Sequence, residues 1–148
     1  MEASEYLSKA LAQFEELFPG GHVTLTFSSA AEVKLIKSRF NQSKKELKQI
    51  KREISQELQA INATYADKRA NHVAHDIGHA FAASLFGGKS KSKGLAQRNN
   101  LLKKEQLAKR SPYEKAARQI DDMVLQIDQA ILKIDAEWLA VLQRRQAE

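Results

Sequence analysis

Residues 116–141 read AARQIDDMVLQIDQAILKIDAEWLAV. Apolar side chains return there at steps of three and four: Ala117, Ile120, Val124, Ile127, Ile131, Ile134, Trp138 and Val141. This is the seven-residue period of a coiled-coil seam, the stripe along which one helix meets another. Residues 33–54, VKLIKSRFNQSKKELKQIKREI, carry a second seam through Val33, Ile36, Phe40, Leu47, Ile50 and Ile54.

The two seams match in charge as well as in period. With Val124, Ile131 and Trp138 at heptad position a, the e positions of the later run are Asp121, Asp128 and Asp135. With Val33, Phe40, Leu47 and Ile54 at a, those of the earlier run are Lys37, Lys44 and Lys51. In an antiparallel pair e faces e. The residue numbers of Lys37 and Asp135, Lys44 and Asp128, and Lys51 and Asp121 each total 172. The apolar layers 33/141, 40/134, 47/127 and 54/120 each total 174, so the fold-back point falls near Phe86-Gly87-Gly88. The expected fold is therefore all-α: a long antiparallel helical hairpin, a coiled coil, with an N-terminal amphipathic helix and one short extended or β segment. Exposed ion pairs stabilise little, about 0–1 kcal/mol each, so the lysine–aspartate row is expected to select orientation and register more than to add stability.

Two parts are expected along the chain: residues 1–29, a helix plus a short strand, and residues 30–148, the hairpin, with a flexible basic tip loop near 87–94. Ser4 to Phe18 reads as a helix capped by Ser4, with Leu7, Leu11, Phe14, Leu17 and Phe18 on one face. Pro19-Gly20-Gly21 stops it. His22 to Ser28 alternates apolar and polar residues and reads as a strand. Its edge needs a partner, which makes Val23, Leu25 and Phe27 candidates for binding another chain and for self-association. Ser28 or Ser29 then caps the first long helix, with Glu32 as the reciprocal capping residue of Ser29. Near Ile54 the seam steps through Leu58, Ile61 and Tyr65, a four-residue insertion that locally unwinds a coiled coil. In the second arm, Ser111-Pro112-Tyr113-Glu114 has the form of a fresh helix start, which predicts two helices over 95–110 and 112–146.

Composition bounds the function. The 148 residues carry a formal charge of +6 and no cysteine. Disulfides and thiolate metal sites are excluded, and a reducing, cytoplasmic setting is expected. No stretch reaches the ~18–20 apolar residues of a membrane span, and Met1-Glu2-Ala3-Ser4-Glu5 lacks the pattern of a signal peptide.

Three places carry candidate chemistry. His72, His75 and His79, with Asp76 among them, recur at three- and four-residue spacing and share one helical face. Two imidazoles four apart can grip zinc from one helix. The segment Ala74-His75-Asp76-Ile77-Gly78-His79-Ala80-Phe81 resembles the active-site helix of the zincin metalloproteases, where two histidines ligate zinc and a glutamate acts as general base. The resemblance covers about eight residues and places Asp76, one methylene shorter, where that family has its glutamate. It implies a zincin-like metal site with His75 and His79 as ligands and Asp76 in the general-base place, and His72 and Asp76 are the further metal-ligand candidates on the same helix. The residues by themselves fit histidines half-buried in a helix interface, and the expectation from them is no cofactor beyond weakly bound zinc and no catalysis.

The second place is the hairpin end. Ile77 to Phe86 is the least polar stretch of the chain, and Val73, Ile77, Phe81 and Leu85 form a stripe turned well away from the histidines. Phe81, Leu85 and Phe86 join the partner-binding candidates. The third is the basic loop that follows, where Lys89, Lys91 and Lys93 suit a nucleic acid or an anionic membrane surface. The expected role is a non-catalytic protein-interaction or assembly subunit that binds other proteins and forms a homo-oligomer. The alternatives are a basic nucleic-acid or membrane-surface binder and the zincin-like reading.

Overall fold

The computed structural model describes residues 1–21, 26–86 and 92–147, with side chains at all of these except 76, 79, 80, 82–86, 92, 93 and 95. Three helices pack against one another: α1 (Ala3–Leu17), α2 (Ala30–Phe86) and α3 (Ser92–Ala147). A single 3-10 turn, Pro19–Gly21, follows α1. The chain is an all-α helical hairpin, and no strand occurs among the described residues. It divides into two compact units, Met1–Ile54 with Lys115–Glu148, and Ser55–Glu114. The division falls at the two places where the sequence pattern is broken, the seam step after Ile54 and the Ser111-Pro112 dipeptide.

In the first unit the heptad seams are the core. Val33, Phe40, Leu47 and Ile54 of α2 are buried, as are Ile120, Ile127 and Ile134 of α3. Leu47, Ile54 and the three isoleucines are sealed from solvent, and losing one such side chain to alanine costs about 2–5 kcal/mol. Ser43 occupies the remaining inward position of α2 and is buried too, which explains the gap between Phe40 and Leu47 in the apolar pattern. On α3, Ala116 and Met123 are buried beside the isoleucines, so the core stripe is wider than a two-helix seam. The first helix also meets α2. Phe18, at the end of α1, sets its ring edge-on to Phe40 with centroids 5.6 Å apart, and Phe14 meets Phe18 at a tilt of 33° with centroids 4.7 Å apart.

The helix ends differ in detail from expectation. α1 starts at Ala3, and its cap is Glu2, whose N–H donates to Glu5 Oε2 at 3.3 Å. Ser4 lies inside the first turn, and its carbonyl accepts from the Ser8 hydroxyl. The inward face of α1 centres on Tyr6 and Ala10, leaving Leu11 exposed. Gly20 and Gly21 take φ of 69° and 78°, the left-handed region that glycine enters at little cost, and so end the helix. At α2, Ser29 is the cap: its hydroxyl accepts from the Glu32 N–H at 3.3 Å. The Glu32 carboxylate reaches one residue further back and accepts from the Ser28 N–H at 2.9 Å.

Those contacts correct the strand expectation at its C-terminal end. Ser28 gives its N–H to Glu32 and its carbonyl accepts from Arg145 Nη2 at 2.7 Å, so neither group is left for a strand ladder. Thr26 to Ser29 are irregular and bent. Residues 22–25, the rest of the expected strand, lie outside the described residues. The second arm also departs from expectation. α3 begins at Ser92 and passes through Pro112 as one helix. Proline removes one backbone donor from the ladder. An ion pair from Arg110 to Glu114, 2.8 Å long, spans the site on the helix surface.

Candidate interaction surfaces

The lysine–aspartate row forms as a ladder in the first unit. Lys37 Nζ lies 2.7 Å from Asp135 Oδ1, and Lys44–Asp128 and Lys51–Asp121 are each 2.5 Å. All three pairs are partly open to solvent, which limits what each adds to stability. Beside the first rung an open groove is lined by Val33, Lys34, Ser38, Lys45 and Trp138. Arg145 lies over the Trp138 ring at 5.6 Å. A smaller depression is lined by Phe27, Leu35 and Ile36. Phe27 is half-buried there, so this partner-binding candidate rests against the start of α2. Val23 and Leu25 lie outside the described residues.

The second unit has a different interior. The d column of α3 that reads Ile134, Ile127, Ile120 in the first unit continues as Tyr113, Gln106 and Asn99. Tyr65 is the buried centre of α2 here, and Leu102 the buried apolar residue of α3 among the described residues. The Tyr65 hydroxyl donates to Glu105 at 3.4 Å, and Lys68 and Lys109 lie over its ring at 4.7 and 5.7 Å. Gln106 accepts from Arg69 and donates to Asn62 Oδ1 at 2.8 Å. One heptad on from Tyr65 is His72, and one heptad back from Gln106 is Asn99. His72 Nδ1 and Asn99 Oδ1 are both buried without a hydrogen-bond partner among the described residues. The polar seam was not foreseen from the sequence, although extending the d column beyond Pro112 would have shown it.

His72 is half-buried, while His75, three residues on, is exposed. The side chains of Asp76 and His79 lie outside the described ones. Among the described residues no group of three or more histidine, cysteine, aspartate or glutamate side chains gathers to hold a metal ion.

With His72 turned inward, the apolar stripe of α2 turns out. Val73, Ile77 and Phe81 are 40%, 64% and 67% exposed. Each is four residues from the next, so they line one ridge of the helix. The side chains of Leu85, Phe86 and Lys93 are not described, and Lys89 and Lys91 lie outside the described residues, although Lys93 is in the first turn of α3. A second exposed ridge, absent from the sequence expectation, runs along α3 in the first unit: Leu125, Leu132 and Leu139 are 55%, 69% and 56% exposed. Their strict seven-residue spacing was hidden because the stronger isoleucine seam occupies the same stretch. Among the described residues no helix is long and apolar enough to cross a membrane. No family model, curated protein or solved structure matches this chain.

Proposed function

We propose that the chain is a non-catalytic protein-interaction subunit that assembles with itself through the exposed ridge of α2. The observation that carries this reading is the row Val73, Ile77 and Phe81. Single exposed apolar residues are ordinary, but an aligned ridge of large ones marks a surface that is covered when the protein works. Helices meet through such ridges, and the i, i+4, i+8 spacing supplies one side of a helix–helix contact. The ladder and sealed core of the first unit hold the hairpin in register, which suits a rigid framework that presents contact surfaces.

Light scattering across a concentration series tests the proposal. The native chain is expected to associate, and Ile77→Asp with Phe81→Asp to leave a helical monomer. A native chain that stays monomeric throughout, or a variant that associates as the native chain does, overturns self-assembly through this ridge.

A further inference from the structure

The Leu125–Leu132–Leu139 ridge lies in the first unit, apart from the residues that carry the proposed self-assembly. Each leucine is three or four residues from aspartates of the ladder: Leu125 from Asp121 and Asp128, Leu132 from Asp128 and Asp135, Leu139 from Asp135. Neighbours at that spacing sit side by side on a helix surface. The leucine ridge therefore runs along the outer edge of the ladder. The same reasoning applies on α2. Lys34 is three residues from Lys37, and Lys48 is four from Lys44 and three from Lys51. Lys45 and Arg52 continue the strip one step further round.

The first unit thus has a face with three parallel bands: leucines on α3, the lysine–aspartate ladder in the middle, and Lys34, Lys45, Lys48 and Arg52 on α2. The ladder is neutral, because each aspartate is matched by a lysine. Those four outer basic residues are exposed and have no ion pair among the described residues. The face as a whole is apolar along one edge and positive along the other.

We infer that this face docks an amphipathic helix whose apolar stripe meets the leucines and whose acidic edge meets the basic strip. The spacing selects a helix. Three leucines at heptad intervals over 125–139 span about 21 Å at ~1.5 Å per residue, the length of two heptad steps, and a lipid surface has no such period. The charge selects an acidic partner. A second copy of this chain would bring its own lysines to the contact, and like charges facing each other oppose association. Fit to the leucines gives affinity, while the basic strip orients the partner and speeds encounter.

The probe is a synthetic three-heptad helical peptide with leucines along one face and glutamates along one edge. Its twin has lysines in place of the glutamates. Binding to the full chain is followed by fluorescence anisotropy. The glutamate peptide is expected to bind, with affinity falling as salt rises, and the lysine peptide to bind at least about tenfold more weakly, a difference of ~1.4 kcal/mol. Leu132→Asp, a change at an exposed site, should abolish binding with helix content by circular dichroism unchanged. Lys45→Glu with Lys48→Glu should weaken the glutamate peptide and rescue the lysine peptide. Ile77→Asp with Phe81→Asp should leave peptide binding intact, which separates this face from the proposed assembly ridge.

Equal binding of the two peptides, or binding unaffected by Leu132→Asp, overturns the inference. So does a concentration-dependent dimer abolished by Leu132→Asp, which would make a second copy the occupant. Adsorption to phosphatidylserine vesicles that is lost in Leu132→Asp, with no peptide binding, would make the occupant a membrane surface and overturns it equally.

Discussion

Single residues set the ends and the weak layers of this fold. Glu32 is the clearest case. The Ser28 N–H holds its carboxylate, and that bond favours the charged form, so its pKa lies below the usual carboxylate value. A folded-state pKa below the unfolded one gives a stabilisation that is complete above the unfolded value and is lost as the pH falls through the folded one. The start of α2 is therefore expected to fray on acidification below the normal glutamate range. Carboxyl-carbon and amide NMR titrations should show the Glu32 carboxyl and the amides of residues 28–33 moving together, and Glu32→Gln should remove the acid-dependent step at those amides. His72 and Asn99 make the opposite kind of statement. Two buried polar atoms without partners among the described residues are costly, and replacing both groups with apolar ones relieves the cost. His72→Leu with Asn99→Leu is expected to raise stability by about 1–3 kcal/mol, read as a higher denaturant midpoint. A fall in the midpoint would mean that these groups are satisfied by one another in solution.

At the scale of helices, the ladder and the seam do different jobs. The seam supplies stability through the sealed isoleucines, while the ladder constrains which seam positions meet. Reversing one rung should show this. Lys44→Asp and Asp128→Lys are each expected to cost about 1 kcal/mol or less, and the double reversal to restore most of it, with a coupling energy near 0.5–1 kcal/mol in a denaturation cycle. Zero coupling would reduce the ladder to incidental surface charge. Both features were legible in the sequence, because heptad period and alternating charge are properties of spacing alone. The breadth of the core was not. Ala116 and Met123 are buried outside the a and d columns, and a two-helix pattern carries no sign of that. Leu11 was misplaced for a related reason: α1 turns Tyr6 and Ala10 inward, and a small residue such as Ala10 gives little hydropathy signal where a helix makes a close approach. The inward turn of His72, which pushes Val73, Ile77 and Phe81 outward, likewise needed the partner arm to decide between two plausible faces.

For the molecule as a whole, the consequence is uneven stability. The first unit is lined by Leu47, Ile54, Ile120, Ile127 and Ile134. The second is lined by Tyr65 and Leu102 with Asn62, Arg69, Gln106, His72 and Asn99. Among the described residues the second interior holds fewer large buried apolar side chains and more polar atoms, and such an interior lowers the free energy needed to open a segment locally. Native-state hydrogen exchange is expected to show the slowest amides around Leu47, Ile54, Ile120 and Ile127, with residues 58–72 and 99–113 exchanging faster. Uniform protection along both helices would show that the two units open as one.

The ladder also constrains how such a chain is able to change its length. Its rungs recur every seven residues on both arms, so a deletion within one arm alone sets every rung beyond it out of step. Removing residues 41–47 together with 127–133 takes out the Lys44–Asp128 rung and the Leu47 and Ile127 layer from both sides at once. The remaining partners stay opposite one another. The double deletion is expected to fold cooperatively, and either deletion alone to melt early or aggregate, as thermal denaturation would show. Insertions and deletions in this part of the chain are thus tolerated only in whole heptads and in mirrored pairs, so the lengths of the two arms are bound to each other across sequence separations of 70 to 98.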